Sequence, residues 1–191
     1  WQPGQPFVMQ STTQAISLDV IVKAVFGVTD PARVATFERT LVAATEAIWP
    51  PSIMFRFLQV DLGPLTPWRR FAARKRAADD LVRAEIATRR AAHTGGDDIL
   101  QLMLDARYED GGTMTDDQIH DELFTLLVAG HETTAIALAW AMYWLHRNPH
   151  TLARLRAELA TLGDSPDPEA VARLPYLEGV CHETLRLYPI L

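Results

Sequence analysis

Cysteine is nearly absent from this sequence: Cys181 stands alone among 191 residues. No internal disulfide can form, and the chain suits a reducing compartment. Charge of one sign is lacking too. Lysine and arginine number 18 against 24 acidic residues, a net charge of -6, and 22% of the chain is charged. That balance excludes an obvious nucleic-acid binder and a disordered chain. There is no repeat, no low-complexity tract and no stretch alternating with period two, so strands are not expected and the fold class reads as all-α. The first residue is Trp1, and no basic segment leads into an apolar signal region. Trp1-Gln2-Pro3-Gly4 and Leu187-Tyr188-Pro189-Ile190-Leu191 both read as interior sequence. The expectation is a piece truncated at both ends, so the lack of a targeting or anchor segment says little about the intact protein. What is present is apolar material, 48% of residues, enough for one sizeable core.

Helices follow from periodicity and punctuation. Phe7 to Phe26 carries Ile16, Val20, Ile21 and Val25, with Val22 and Phe26 beside them, which fits an amphipathic helix that ends at Gly27. Asp30-Pro31 opens a second helix to about Ile48, with Val34, Phe37, Leu41 and Ile48 inward. Pro50 to Pro67 is an apolar loop rich in proline and glycine, of the kind that often forms a lid. Trp68 to Arg90 predicts a basic helix with Phe71, Leu81 and Ile86 inward, its arginines meaning a solvated face laced with salt bridges. Asp97 is expected to cap a short helix over Ile99 to Leu104. Thr115 and Gln118 form a capping box for a long helix over about 115–147, roughly 30 residues or ~45 Å. After Asn148-Pro149 come a helix with Leu152, Leu155, Leu159 and Leu162 on one side, a turn at Asp164–Pro168, a short helix Glu169–Leu174, and a last one, Tyr176–Tyr188.

Two helices carry chemistry. The long one is apolar on nearly every side from Leu123 to Leu145, yet Ala129-Gly130-His131-Glu132-Thr133-Thr134 interrupts it. Buried polar groups cost free energy unless partnered. Gly130 costs about 1 kcal/mol relative to alanine inside a helix, so it needs a reason, and close approach to the backbone is one. Thr133 can bond back to the carbonyl of Ala129 or loosen that turn. Glu132 is a proton carrier, and a partly buried carboxyl there would have a raised pKa. A membrane span fits the length, but the central Glu-His pair makes it expensive and the flanking helices are amphipathic. A zinc peptidase fails twice. His131-Glu132 and His182-Glu183 each begin His-Glu-x-x-His, but the second histidine is replaced by Ala135 and by Arg186. On the last helix Glu183 and Arg186 share a face and can pair, while Leu177, Val180, Cys181, Leu185 and Tyr188 are expected on the other side, with Cys181 a small buried residue.

Ala129-Gly130-His131-Glu132-Thr133-Thr134 in a long helix resembles the oxygen-binding signature of cytochrome P450 monooxygenases. Glu183-Thr184-Leu185-Arg186, between Leu174-Pro175-Tyr176-Leu177 and Leu187-Tyr188-Pro189, is similar to that family's Glu-x-x-Arg helix, and Arg147-Asn148-Pro149 falls between them as in relatives. The resemblance covers the whole chain as a single partial domain, residues 1–191, from about helix E through helix K of that mainly-α fold, of the soluble bacterial type. It implies haem b, with Ala129, Gly130, Thr133 and Thr134 bordering it. Thr133 would hydrogen-bond the bound oxygen and Glu132 would pass protons, the two acting as the catalytic residues. Thr125, Val128 and Ala129 would wall the substrate pocket, the 50–67 loop would lie over it, and Glu183 with Arg186 would be a structural pair. It also implies an apolar small-molecule substrate, dioxygen, and electrons from NAD(P)H through a ferredoxin and reductase or a fused reductase. A cytoplasmic location is expected, with no nucleic-acid partner and no membrane indicated. The family's cysteine ligand to iron is expected beyond Leu191, so no metal ligand lies in this chain and the segment alone is expected to be inactive. A haem-free helical ligand-binding or structural domain is the alternative.

Overall fold

The computed structural model describes residues 2, 4–47, 55, 59, 66–92 and 95–190. Among them all regular structure is helical. In order these are α1 (Met9–Phe26), α2 (Pro31–Glu46), α3 (Pro67–Ala92), α4 (Ile99–Asp105), α5 (Asp116–Arg147), α6 (Pro149–Ala160), α7 (Pro168–Ala172) and α8 (Pro175–Leu187). Two compact units result: one combines Trp1–Ser17 with His131–Leu191, the other is Leu18–Gly130. Both α1 and α5 contribute to each. The expectations for the 50–67 loop and for Ile48 lie outside the described residues, Phe55, Gln59 and Thr66 excepted.

In the unit Leu18–Gly130, the core gathers Leu18, Val22, Val25 and Phe26 of α1, Val34, Phe37 and Leu41 of α2, Ala78, Val82 and Ile86 of α3, and Ile119, Leu123 and Leu127 of α5. The rings of Phe26 and Phe37 pack tilted at 5.2 Å. The expected face of α1 is borne out in part, with Val22, Val25 and Phe26 buried and Ile21 packed against the core. Ile16 and Val20 are 49% and 56% exposed, while Thr13, Ser17, Leu18 and Val22 are buried. Aliphatic residues occupy both sides of that helix, so periodicity could not choose between them. On α3 the inward side is Ala78, Val82, Glu85 and Ile86 rather than Phe71 and Leu81, which are half-buried.

Caps set the boundaries. Asp30 accepts from the Arg33 amide at 2.9 Å, with Pro31 in the first turn of α2. Asp98, not Asp97, caps α4, accepting from the Gln101 amide at 3.0 Å. The capping box of α5 is formed as the spacing implied. Thr115 Oγ1 accepts from the Gln118 amide at 3.2 Å, and Gln118 Oε1 accepts from the Thr115 amide at 2.9 Å. In the other unit, Glu158 of α6 accepts from the amides of Tyr176 and Leu177 at 2.8 and 2.9 Å, so one carboxylate serves the open N-terminus of α8.

The basic face of α3 is absorbed by acids. Arg83 pairs with Asp117 and Arg90 with Asp116, each at 2.6 Å, which ties α3 to the first turn of α5. Lys75 holds Asp79 at 2.7 Å, and Asp79 stands 3.3 Å from Nε2 of the buried His120. Arg33 pairs with the buried Glu85. Arg89 pairs with Asp98 at 2.7 Å, with 13% and 9% of the two side chains exposed, and donates to the Phe26 carbonyl at 3.1 Å. Removing one partner from so enclosed a pair strands the other. Replacement Arg89→Ala is expected to destabilise the protein by about 3 kcal/mol or more in urea unfolding, whereas Arg89→Ala combined with Asp98→Asn costs less than the sum of the two changes.

Candidate functional site

The polar break sits on α5 where the helix has a clear inside. Leu123, Leu127, His131 and Ala135, four residues apart, are buried. Two positions away along the helix, nearly opposite, run Thr125, Ala129 and Thr133, the first two exposed and the third half-buried. Glu132 lies beside that series and is exposed, as is Thr134. The break thus exposes Ala129, Glu132 and Thr134, half-buries Gly130 and Thr133, and buries only His131. Glu132 is not the partly buried carboxyl that the sequence suggested; its side chain is exposed, on the face it shares with the exposed Val128.

Partners for the break come from α1. Ser17, itself buried, donates from Oγ to the His131 carbonyl at 3.0 Å. One turn earlier Gln14 Nε2 donates to both carboxylate oxygens of Glu132, at 3.1 and 3.3 Å. The imidazole of His131 is buried, and its Nδ1 finds no hydrogen-bond partner among the described residues. Burial pushes its pKa below the ordinary value, with the negative charge of Glu132 opposing in the smaller measure. A Cβ at Gly130 would meet only Ile21 Cδ1, at 3.5 Å, an ordinary contact, so packing within this chain does not demand glycine there.

Of the pocket residues, Val128 lines a small apolar cavity of about 60 Å³ with Leu41, Phe71, Phe124 and Leu127. Thr125 and Ala129 do not line it; Thr125 returns its hydroxyl to the Asp121 carbonyl at 2.8 Å. On α8 the Glu183–Arg186 pair is formed and bidentate, with Nε and an Nη each 2.7 Å from a carboxylate oxygen. The Arg186 guanidinium holds the Glu183 carboxyl below its usual range, and Glu183 raises Arg186 in return. Both lie at the surface, and Glu183 borders a groove of about 520 Å³ lined also by Trp144, Leu145, Tyr176, Val180 and Thr184. Two expectations for this helix are corrected. Cys181 is exposed, not buried, and Leu185 is 46% exposed, while Thr184 is the buried residue. The helix turns Thr184 inward because its hydroxyl is satisfied by the Val180 carbonyl at 2.8 Å.

Sequence reading passed over Gln14, Ser17, His120 and Glu158. A signal existed for the first two: polar side chains at i and i+3 in a helix otherwise able to bury aliphatics. Nothing local pointed to Glu158.

Alanine, glycine, an acid and a hydroxyl thus follow one another on one long helix, with a Glu-x-x-Arg pair three helices later, in an all-helical arrangement. Comparison with known proteins specifies it. The family model described as Cytochrome P450 matches residues 2–191. Cytochrome P450 137 of Mycobacterium tuberculosis is 37% identical over 191 residues, covering 99% of this chain and 38% of its own length. Cytochrome P450 135B1 of Mycobacterium bovis is 37% identical over 204 residues, covering 100% of this chain and 39% of its own. The solved haem domain of cytochrome P450DA superposes with a TM-score of 0.78 at 28% identity, covering 97% of this chain and 41% of that one. This chain belongs to the cytochrome P450 family. It spans about two-fifths of the length of these relatives.

Two measurements check the site. Gly130→Ala is expected to raise stability by about 0.5–1 kcal/mol in urea unfolding, because the new methyl meets ordinary contact and the helix gains propensity. For His131, the unfolded chain takes up a proton near the ordinary value of 6.5 while the folded one resists it. The unfolded state then binds more protons, so stability falls as pH drops through 6.5 toward the lowered folded value. Unfolding series at descending pH are expected to show that loss in the native protein and a smaller one in His131→Leu.

Proposed function

We propose that the intact protein is a haem-dependent monooxygenase inserting one atom of dioxygen into an apolar small molecule. Its electrons originate in NAD(P)H and arrive through a ferredoxin and reductase or a fused reductase. The observation that carries the reading is the outward polar break of α5 in a chain matched throughout by the cytochrome P450 family. The exposed Ala129, with Gly130 and the half-buried Thr133, gives this part of the helix little side-chain bulk, which fits a flat macrocycle and a diatomic ligand. Haem, when bound, supplies the iron at which dioxygen is activated.

The chain's own residues do the rest. Ala129 and Gly130 leave room next to the helix backbone, and Thr133 and Thr134 border the macrocycle. The Thr133 hydroxyl holds a proton at Oγ1 toward the reacting oxygen, and the Glu132 carboxylate restores it from solvent, to which it is open. Thr125, Val128 and Ala129 form part of the substrate wall. Glu183 and Arg186 are structural, their charges satisfying each other rather than moving protons. The two units are parts of one domain, since the family match runs unbroken through both. The iron ligand comes from a segment outside these 191 residues, because the only thiol here, Cys181, is on the surface of α8. A cytoplasmic location accords with the single cysteine. A haem-free binding domain draws no support from relatives named as cytochromes P450 or from a neighbour solved as a haem domain.

In the intact haem protein, Thr133→Ala is expected to leave electron consumption running while product per electron falls at least about tenfold, with peroxide released in its place. Unchanged coupling would remove Thr133 from the relay.

A further inference from the structure

We propose that α1 is a clamp for the proton-handling turn of α5, with Gln14 the positioning residue for Glu132 and Ser17 its anchor. The two residues are one turn apart on α1 and engage consecutive residues of α5. Ser17 fixes the backbone at the His131 carbonyl, at 3.0 Å in a buried setting, and Gln14 receives the carboxylate that springs from the next residue, at 3.1 and 3.3 Å. The chemistry of the pair is specific. An amide offers donors without charge, so it orients a carboxylate while leaving its negative charge available. Between Met9 and Ser17 the helix carries no ionisable side chain that could compete for it. Beside Glu132 on its own helix the one ionisable neighbour in sequence is His131, which burial keeps neutral and whose ring lies on the inward side.

The two contacts differ in kind. The Ser17 bond is buried, and the Gln14 bond is exposed to water. Ser17 therefore fixes where the turn is, and Gln14 biases which way the carboxylate points without locking it. A carboxylate that must reach both solvent and Thr133 needs such a bias. This rests on the reading of Glu132 as a proton carrier.

The test uses the intact haem-loaded protein and the variants Gln14→Met, Glu132→Gln, their combination, and Ser17→Ala. Methionine keeps the length of glutamine and removes the donor. Two quantities are read: product formed per electron consumed, and the infrared carboxylate band of Glu132, isolated by difference against Glu132→Gln. Gln14→Met is expected to shift that band and lower product per electron by about threefold, and to add nothing in the Glu132→Gln background. Ser17→Ala is expected to broaden the band. A band unmoved by Gln14→Met overturns the clamp, even if coupling falls. If Glu132→Gln leaves coupling intact, the relay reading itself fails. If Glu132→Gln lowers coupling and Gln14→Met does not, the relay stands and the clamp falls.

Discussion

The hydroxyl of Ser17 on the carbonyl of His131 joins α1 to α5 at the place where the long helix is least able to hold itself. A stretch containing glycine, histidine, glutamate and two threonines inside an apolar helix has weak propensity and polar groups to satisfy. Its neighbour meets that need with side chains instead of bulk, so the two helices meet through Ser17 and Gln14 where aliphatic packing would be the default. Just beyond, at Leu18 and Val22, α1 returns to aliphatic packing within the other unit. One helix thus changes its mode of contact within a turn.

Electrostatics follows the same economy. The eight basic residues between Arg69 and Arg90 read in sequence as a solvated face laced with salt bridges, and several do close onto acids that define helix ends. Asp116 and Asp117 sit in the first turn of α5, where negative charge suits the helix dipole, and there they also receive Arg90 and Arg83. Asp98 caps α4 and receives Arg89. Each acid serves a backbone terminus and a side chain together, which is how a helix so rich in arginine keeps a buried side of Ala78, Val82 and Ile86.

The surface tells the complementary story. Leu126, Val128, Leu138, Leu185 and Leu187 are exposed apolar side chains on α5 and α8, the two helices that bear the motifs. Cys181, on the same helix α8, is exposed as well.

Particular residues show how far the sequence reached. Its caps and breakers, Asp30-Pro31, Thr115 with Gln118, Asn148-Pro149 and Pro175, placed the helices within a few residues because backbone hydrogen bonding and proline sterics are local. The motif on α5 and the Glu183–Arg186 pair were legible because helical spacing alone puts their members together. The inward face of α1, the cap at Asp98 in place of Asp97, the exposure of Glu132 and Cys181, and the service of Gln14, Ser17 and Glu158 were not legible. Each depends on a partner distant in sequence, Gln14 from Glu132 by 118 residues and Glu158 from Tyr176 by 18, or on which of two similar faces finds something to cover it. Sequence by itself determined the helices, their ends and the chemistry of the break. Only the tertiary structure decided which side of each helix is inside and which side chains hold the break in place, because burial and orientation are set by neighbours that no local pattern names.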